Sequence, residues 1–201
     1  MSKKVLKSNE GYNLYASQYD EKKTFLDSFE NNILGRFFQE LSGKKVLDVG
    51  CGTGRTIGDL KKTGAKVVGL DPSEEMLKIA KKKFSDIEMV AGEIENLPFE
   101  DDSFDTVVSL FVIAHLKTLD KAFKEIYRVL KPGGIFIVSN INQKKAPVLK
   151  VKREEFVIDS FYHMPKHVLD VLEENWLKVE QEEFVYEDDV WINQIIKAVK
   201  I

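Results

Sequence analysis

Apolar residues along this chain keep two rhythms. Short, nearly continuous apolar runs alternate with longer stretches in which apolar residues recur every three or four positions. The short runs read as strands buried on both faces, and the longer stretches as amphipathic helices. Strands are predicted at Lys45–Val49, Lys66–Leu70, Ile87–Val90, Asp105–Leu110 and Gly134–Asn140. A helix from about Gly54 to Thr63, closed by Gly64, fills the first gap. The next runs over Ser73–Phe84. Ser73 is its N-cap, Glu74 and Glu75 suit the positive end of its dipole, and Met76, Ile79, Ala80 and Phe84 form its stripe. A third helix, Leu119–Leu130, turns Ala122, Phe123, Ile126, Val129 and Leu130 inward and stops at Lys131-Pro132-Gly133-Gly134. Further on, Pro165–Asn175 reads as a helix. Leu177–Tyr186 and Trp191–Val199 read as two strands joined by the acidic turn Glu187-Asp188-Asp189. The first 40 residues look helical, with Phe25, Phe29, Ile33, Phe37 and Phe38 as apolar anchors. Asn140 to Met164 is the stretch least explained by this scheme. Strand–helix alternation implies an α/β domain built on a parallel sheet with helices on both faces.

The most informative segment is Val46 to Arg55, V-L-D-V-G-C-G-T-G-R. A buried strand runs into glycines at 50, 52 and 54, which make a tight turn and bare the backbone to a ligand. The dinucleotide fingerprint G-x-G-x-x-G does not fit, because Arg55 stands where its third glycine belongs. Asp48, at the strand end, would repel a diphosphate and suits a ligand with an ammonium group. Asp71 ends the second strand and can accept hydrogen bonds from both ribose hydroxyls, which supports a nucleoside without choosing the cofactor.

These residues resemble motif I of the class I S-adenosylmethionine-dependent methyltransferases, and three further blocks follow in order. Val67–Leu77, V-V-G-L-D-P-S-E-E-M-L, resembles motif II. Ala91–Leu116 resembles the third and fourth strand region, and Arg128–Val138, R-V-L-K-P-G-G-I-F-I-V, the turn into the fifth strand. Within the family the core is most similar to small-molecule methyltransferases of the quinone-biosynthesis type. The resemblance implies a Rossmann-like, seven-stranded, mostly parallel sheet with a C-terminal antiparallel hairpin. It also implies S-adenosylmethionine as cofactor, held by Tyr19, Asp48, Gly50, Cys51, Gly52, Gly54, Asp71, Pro72, Met76, Glu93, Ile94 and Leu110. Glu93-Ile94 departs from the family's Asp and small residue, each being one size larger. The N-P-P-Y motif of adenine and glutamine amide N-methyltransferases is absent after the fourth strand.

Composition narrows the setting. A length of 201 residues suits one domain, divided here into a helical cover (1–43), a cofactor core (44–140), a substrate cover (141–164) and a final helix with a strand pair (165–201). A net charge of −3 gives no basic footprint for nucleic acid. No apolar run is long enough to cross a bilayer, and the N-terminus lacks an apolar signal core. One cysteine leaves no internal disulfide, and no metal site is expected. These features fit a cytoplasmic protein.

The acceptor side is less legible. His115 leaves the fourth strand beside the expected crevice; a lone histidine there is either structural or a general base. Tyr162, His163 and His167 cluster where the family builds its substrate cover. His115 and Tyr162 are the candidate catalytic residues. The expected activity is methyl transfer to a small-molecule or lipid-like acceptor by in-line displacement. Two alternatives stay open: a non-catalytic S-adenosylmethionine-binding partner subunit, and an NAD-dependent oxidoreductase.

Overall fold

A computed structural model describes residues 3–30 and 32–201. Strand β1 (Lys4–Leu6) leads into helix α1 (Ser8–Tyr19), then the short helices α2 (Lys23–Ser28) and α3 (Leu34–Phe37). The core follows as β2 (Lys45–Val49), α4 (Ile57–Lys62), β3 (Lys66–Asp71), α5 (Glu74–Lys83), β4 (Glu88–Ala91), β5 (Phe104–Ser109), α6 (Asp120–Val129) and β6 (Leu130–Ile141). Next come the hairpin β7 (Val148–Val151) and β8 (Glu154–Ile158), helix α7 (Pro165–Glu174), and strands β9 (Leu177–Glu187) and β10 (Val190–Lys200).

The main sheet has seven strands in the order β4-β3-β2-β5-β6-β10-β9. Strands β2 to β6 pair in parallel; β10 pairs antiparallel with β6 and with β9. The fold class implied by the resemblance is therefore the observed one. Alternation along the strands sorts the core into two layers. Leu47, Val49, Val107, Phe136 and Val138 face α6 and α7, packing on Phe123, Ile126, Val168 and Leu172. Val46, Val108 and Ile137 face the other way, onto Phe37, Phe38, Ile57, Leu60 and Leu77. Because both sheet faces are covered, the strands read as continuous apolar runs.

Several boundaries differ from the sequence reading. Helix α4 starts at Ile57 rather than Gly54, since Thr53 to Thr56 complete the glycine turn. Strand β6 starts at Leu130, four residues early. Leu130 already pairs with Phe104, and a register shift absorbs Pro132-Gly133 before Ile135 pairs with Thr106. The N-terminal segment is not purely helical: Lys4–Leu6 is a strand, parallel to β8, and with β7 it makes a second sheet of three strands. Its β1–β8 pairing joins residues about 150 apart, which no local pattern records. Its inner face, Leu6, Phe156 and Ile158, packs on Tyr15 of α1. This packing lays α1 over the C-terminal ends of β2, β3 and β5, where an open α/β sheet binds ligands.

Candidate active site

Between α1 and those strand ends lies a cavity of about 320 Å³. Its floor is the glycine turn. Gly50 has φ +73°, and a Cβ there would stand 2.2 Å from the Val112 side chain, so no other residue fits. Gly52 lines the cavity, and a Cβ on it would meet only Tyr19, at 3.9 Å; its bare backbone leaves that space to a ligand. Gly54 and Cys51 belong to the turn but not to the cavity wall. A Cβ on Gly54 would sit 2.7 Å from the Phe84 ring, so the third glycine serves helix packing instead. Cys51 is buried, and burial pushes its thiol well above the ordinary range, out of nucleophilic use.

Asp71 lines the cavity at the end of β3. One carboxylate oxygen accepts the Gly52 N–H and the other the Ser73 N–H, both at 2.8 Å. Each oxygen keeps a second lone pair. Burial raises its pKa to about 6, against the pull of those two amides. Asp48 lies beneath the turn rather than in the wall, and its Oδ2 is buried without a hydrogen-bond partner. Burial raises its pKa to about 7, opposed by the charge of Arg55. Pro72, Met76, Glu93, Ile94 and Leu110 line the cavity with Tyr19.

The wall nearest α1 holds a histidine–tyrosine pair. The ring of His115 sits between two partners. Its Nδ1 lies 3.1 Å from the Asp159 carbonyl oxygen, and its Nε2 lies 3.0 Å from the Tyr12 hydroxyl. A carbonyl only accepts, so Nδ1 carries the proton and Nε2 accepts from Tyr12. Burial lowers the His115 pKa, which keeps the ring neutral, and raises that of Tyr12, which keeps the phenol protonated. The result is a neutral base with an occupied lone pair. Tyr12 comes from α1 and Asp159 from the stretch after β8, so neither partner was visible from the neighbourhood of His115 in sequence.

Tyr162 and His163 are placed differently from expectation. His163 is buried, and its Nε2 donates to the carbonyl oxygens of Ile113 (3.1 Å) and Leu116 (2.9 Å). It thereby buttresses the turn that presents His115. Tyr162 lies outside the cavity wall. Its neighbours Phe161 and His163 are both tied to that same turn, and the residue between them faces away. The residue is 39% exposed, and its ring lies 6.4 Å from that of Trp191, with the Lys144 ammonium 5.8 Å from its centre.

Phe111, one residue past Leu110, holds φ +65°, a strained conformation for a bulky residue. Ser139 secures it by accepting the Phe111 N–H at 2.8 Å, and the Arg55 guanidinium lies 5.0 Å over its ring. Strain of this kind persists where surrounding contacts over-determine it.

A bare glycine cradle, a carboxylate with free lone pairs at the second strand end, and an orphaned carboxylate oxygen below fit a nucleoside joined to a cationic amino acid. They define a class I S-adenosylmethionine-dependent methyltransferase site, and this chain belongs to that family. Residues 47–138 match a family model described as a methyltransferase domain. The demethylmenaquinone methyltransferase of Lactococcus lactis is 33% identical over 187 residues, covering 86% of this chain and 74% of that one. The demethylmenaquinone methyltransferase of Chlorobaculum parvum is 43% identical over 107 residues, 53% of this chain but 44% of that one. The chain thus spans about half the length of several curated relatives it matches. A solved S-adenosylmethionine-dependent methyltransferase from Methanosarcina mazei superposes with a TM-score of 0.69 at 18% identity, covering 84% of this chain and 97% of that one.

Proposed function

We propose that this protein transfers the methyl group of S-adenosylmethionine to a small or lipid-like acceptor, with His115 and Tyr12 handling the acceptor's proton. The observation that carries the reading is one cavity lined both by Gly50, Gly52 and Asp71 and by the Tyr12–His115 pair. When bound, the cofactor supplies a methyl carbon already activated by a sulfonium. Gly52 and Asp71 would hold its ribose, Glu93 and Ile94 its adenine, and Asp48 would complement its ammonium group from below. The chain's remaining tasks are to align the acceptor and exclude water. His115 Nε2 takes a proton from the acceptor when Tyr12 yields its hydrogen bond.

The 1–43 and 141–164 segments serve as the acceptor cover over a 44–140 core within one domain, with 165–201 completing the sheet. His115 stands as the base; Tyr12 takes the place at the acceptor that the sequence reading gave to Tyr162. The relatives' names make a demethylated quinone the first acceptor to try. None of the described helices is long and apolar enough to cross a membrane, and a cytoplasmic setting fits the reading. The test is transfer of labelled methyl from S-adenosylmethionine to quinone and other small acceptors. Cofactor binding with no transfer to any acceptor would support a non-catalytic subunit, and binding of NAD alone would overturn the reading.

A further inference from the structure

Charge is unevenly distributed along this chain. Residues 3–7 and 142–158, the second sheet and its approach, hold eight basic side chains against two acidic ones, in a protein of net charge −3. The rest of the molecule is therefore strongly acidic. The outer face of this sheet is apolar as well as basic. Val5 pairs with Val157, and Val157 with Val148, so three valines stand in one row across the strands. Val5 is 60% and Val148 47% exposed. The next row along is Lys3, Glu155 and Lys150: Lys3 bridges Glu155 at 3.1 Å, and Lys150 is the register partner of Glu155. Lys152 and Arg153 form the hairpin turn, and Lys144 and Lys145 lie on the approach to β7. Strands β1 and β8 point toward the cavity. Lys7 and Asp159, which follow them, line its wall, two residues or about 7 Å beyond the valine row.

We infer that the outer face of this sheet docks on an anionic lipid bilayer, with the valine row in the headgroup layer and the surrounding cations on lipid phosphates and carboxylates. The inference rests on the lipid-like acceptor reading, for which it gives a route: the acceptor passes from the bilayer surface along the ends of β1 and β8 into the cavity. An exposed apolar row within a cationic rim matches an interfacial surface. A nucleic-acid site would use the cations but leave the exposed valines without a role.

The experiment is co-sedimentation of the full chain with phosphatidylcholine vesicles, with and without phosphatidylglycerol. Binding is expected only to the anionic vesicles and is lost at high salt. Combined Lys150→Gln, Lys152→Gln and Arg153→Gln should weaken it about fivefold per cation, on the order of 100-fold in all. Val148→Asp should weaken it as well. Neither variant touches the cavity wall, so retained S-adenosylhomocysteine binding certifies the fold of each. Equal binding to neutral vesicles, no binding to either kind, or tighter retention on polyuridylate than on anionic vesicles would overturn the proposal. A chain that binds anionic vesicles as described but never S-adenosylhomocysteine would instead overturn the methyl-transfer reading.

Discussion

Arg55 and Glu30 form a two-pronged ion pair that joins the glycine turn to the N-terminal segment. Nη1 and Nη2 of Arg55 donate to the two Glu30 carboxylate oxygens at 2.7 and 2.6 Å, and both side chains are nearly buried. Asp27 accepts a further bond from Nη1 at 3.1 Å. Two more ties run alongside: Thr53 donates to Asp20 at 2.7 Å, and Ser73 donates to Asn13 at 2.8 Å. The residue that spoils the dinucleotide fingerprint therefore ties the glycine turn to the segment that follows α2.

Glu30→Ala leaves the Arg55 charge buried with only Asp27 beside it. The expected cost is about 3–5 kcal/mol of folding stability, the range for breaking a buried pair from one side. Urea unfolding measures it. Joint Arg55→Met and Glu30→Leu should restore much of the loss, and no recovery would show that the pair has a role beyond charge compensation.

Asp71→Ala removes the acceptor for the ribose hydroxyls and leaves the Gly52 and Ser73 amides unpaired. Affinity for S-adenosylhomocysteine should fall by about 2–4 kcal/mol. Calorimetry reads this directly, and an unchanged affinity would mean that the nucleoside lies elsewhere.

His115→Ala and Tyr12→Phe should separate catalysis from cofactor binding. Turnover is expected to drop about 10²- to 10⁴-fold in His115→Ala, the usual contribution of a positioned base. Tyr12→Phe frees the Nε2 lone pair while keeping the ring that packs on His115 at 5.4 Å. Its effect should fall on kcat, with S-adenosylhomocysteine affinity nearly unchanged in both variants. Equal losses in cofactor affinity would assign the pair to binding.

Cofactor affinity and apoprotein stability should respond to pH in opposite directions. Asp48 and Asp71 have native pKa values of about 7 and about 6, above their ordinary value of 3.8. Between these limits the native state binds more protons than the unfolded chain. Stability is then greatest at the acid end and declines as pH rises toward 7. The cofactor's ammonium and ribose hydroxyls favour the ionised carboxylates, so affinity rises over the same interval and levels off above about pH 7. Thermal melts with and without S-adenosylhomocysteine across that range test both slopes, and parallel slopes would remove these two carboxylates as the cause.

Local information was enough for the main sheet. The central strands β2, β3 and β5 and the inner half of β6 are apolar runs whose rhythm survives because helices cover both faces, whereas the edge strand β4 is only half-buried and the start of β6 joins the sheet through a register shift. The cofactor side was legible for the same reason: the glycine turn, Asp71 and the residues after it each lie within a few positions of a strand end. Nine of the twelve residues named for the cofactor line the cavity; Asp48, Cys51 and Gly54 lie beneath or behind it. Which glycine faces a ligand and which faces Phe84 depends on how α5 packs, and no spacing encodes that. The cavity wall nearest α1 was decided by the tertiary structure. Tyr12, His115 and Asp159 are brought together by strand pairing between β1 and β8, across some 150 residues of chain. Tyr162 and His163 are adjacent in sequence, yet one is buried under the His115 turn and the other stands outside, because successive side chains of the segment after β8 face opposite ways. Residue type marked these side chains as candidates; only long-range packing could assign their partners.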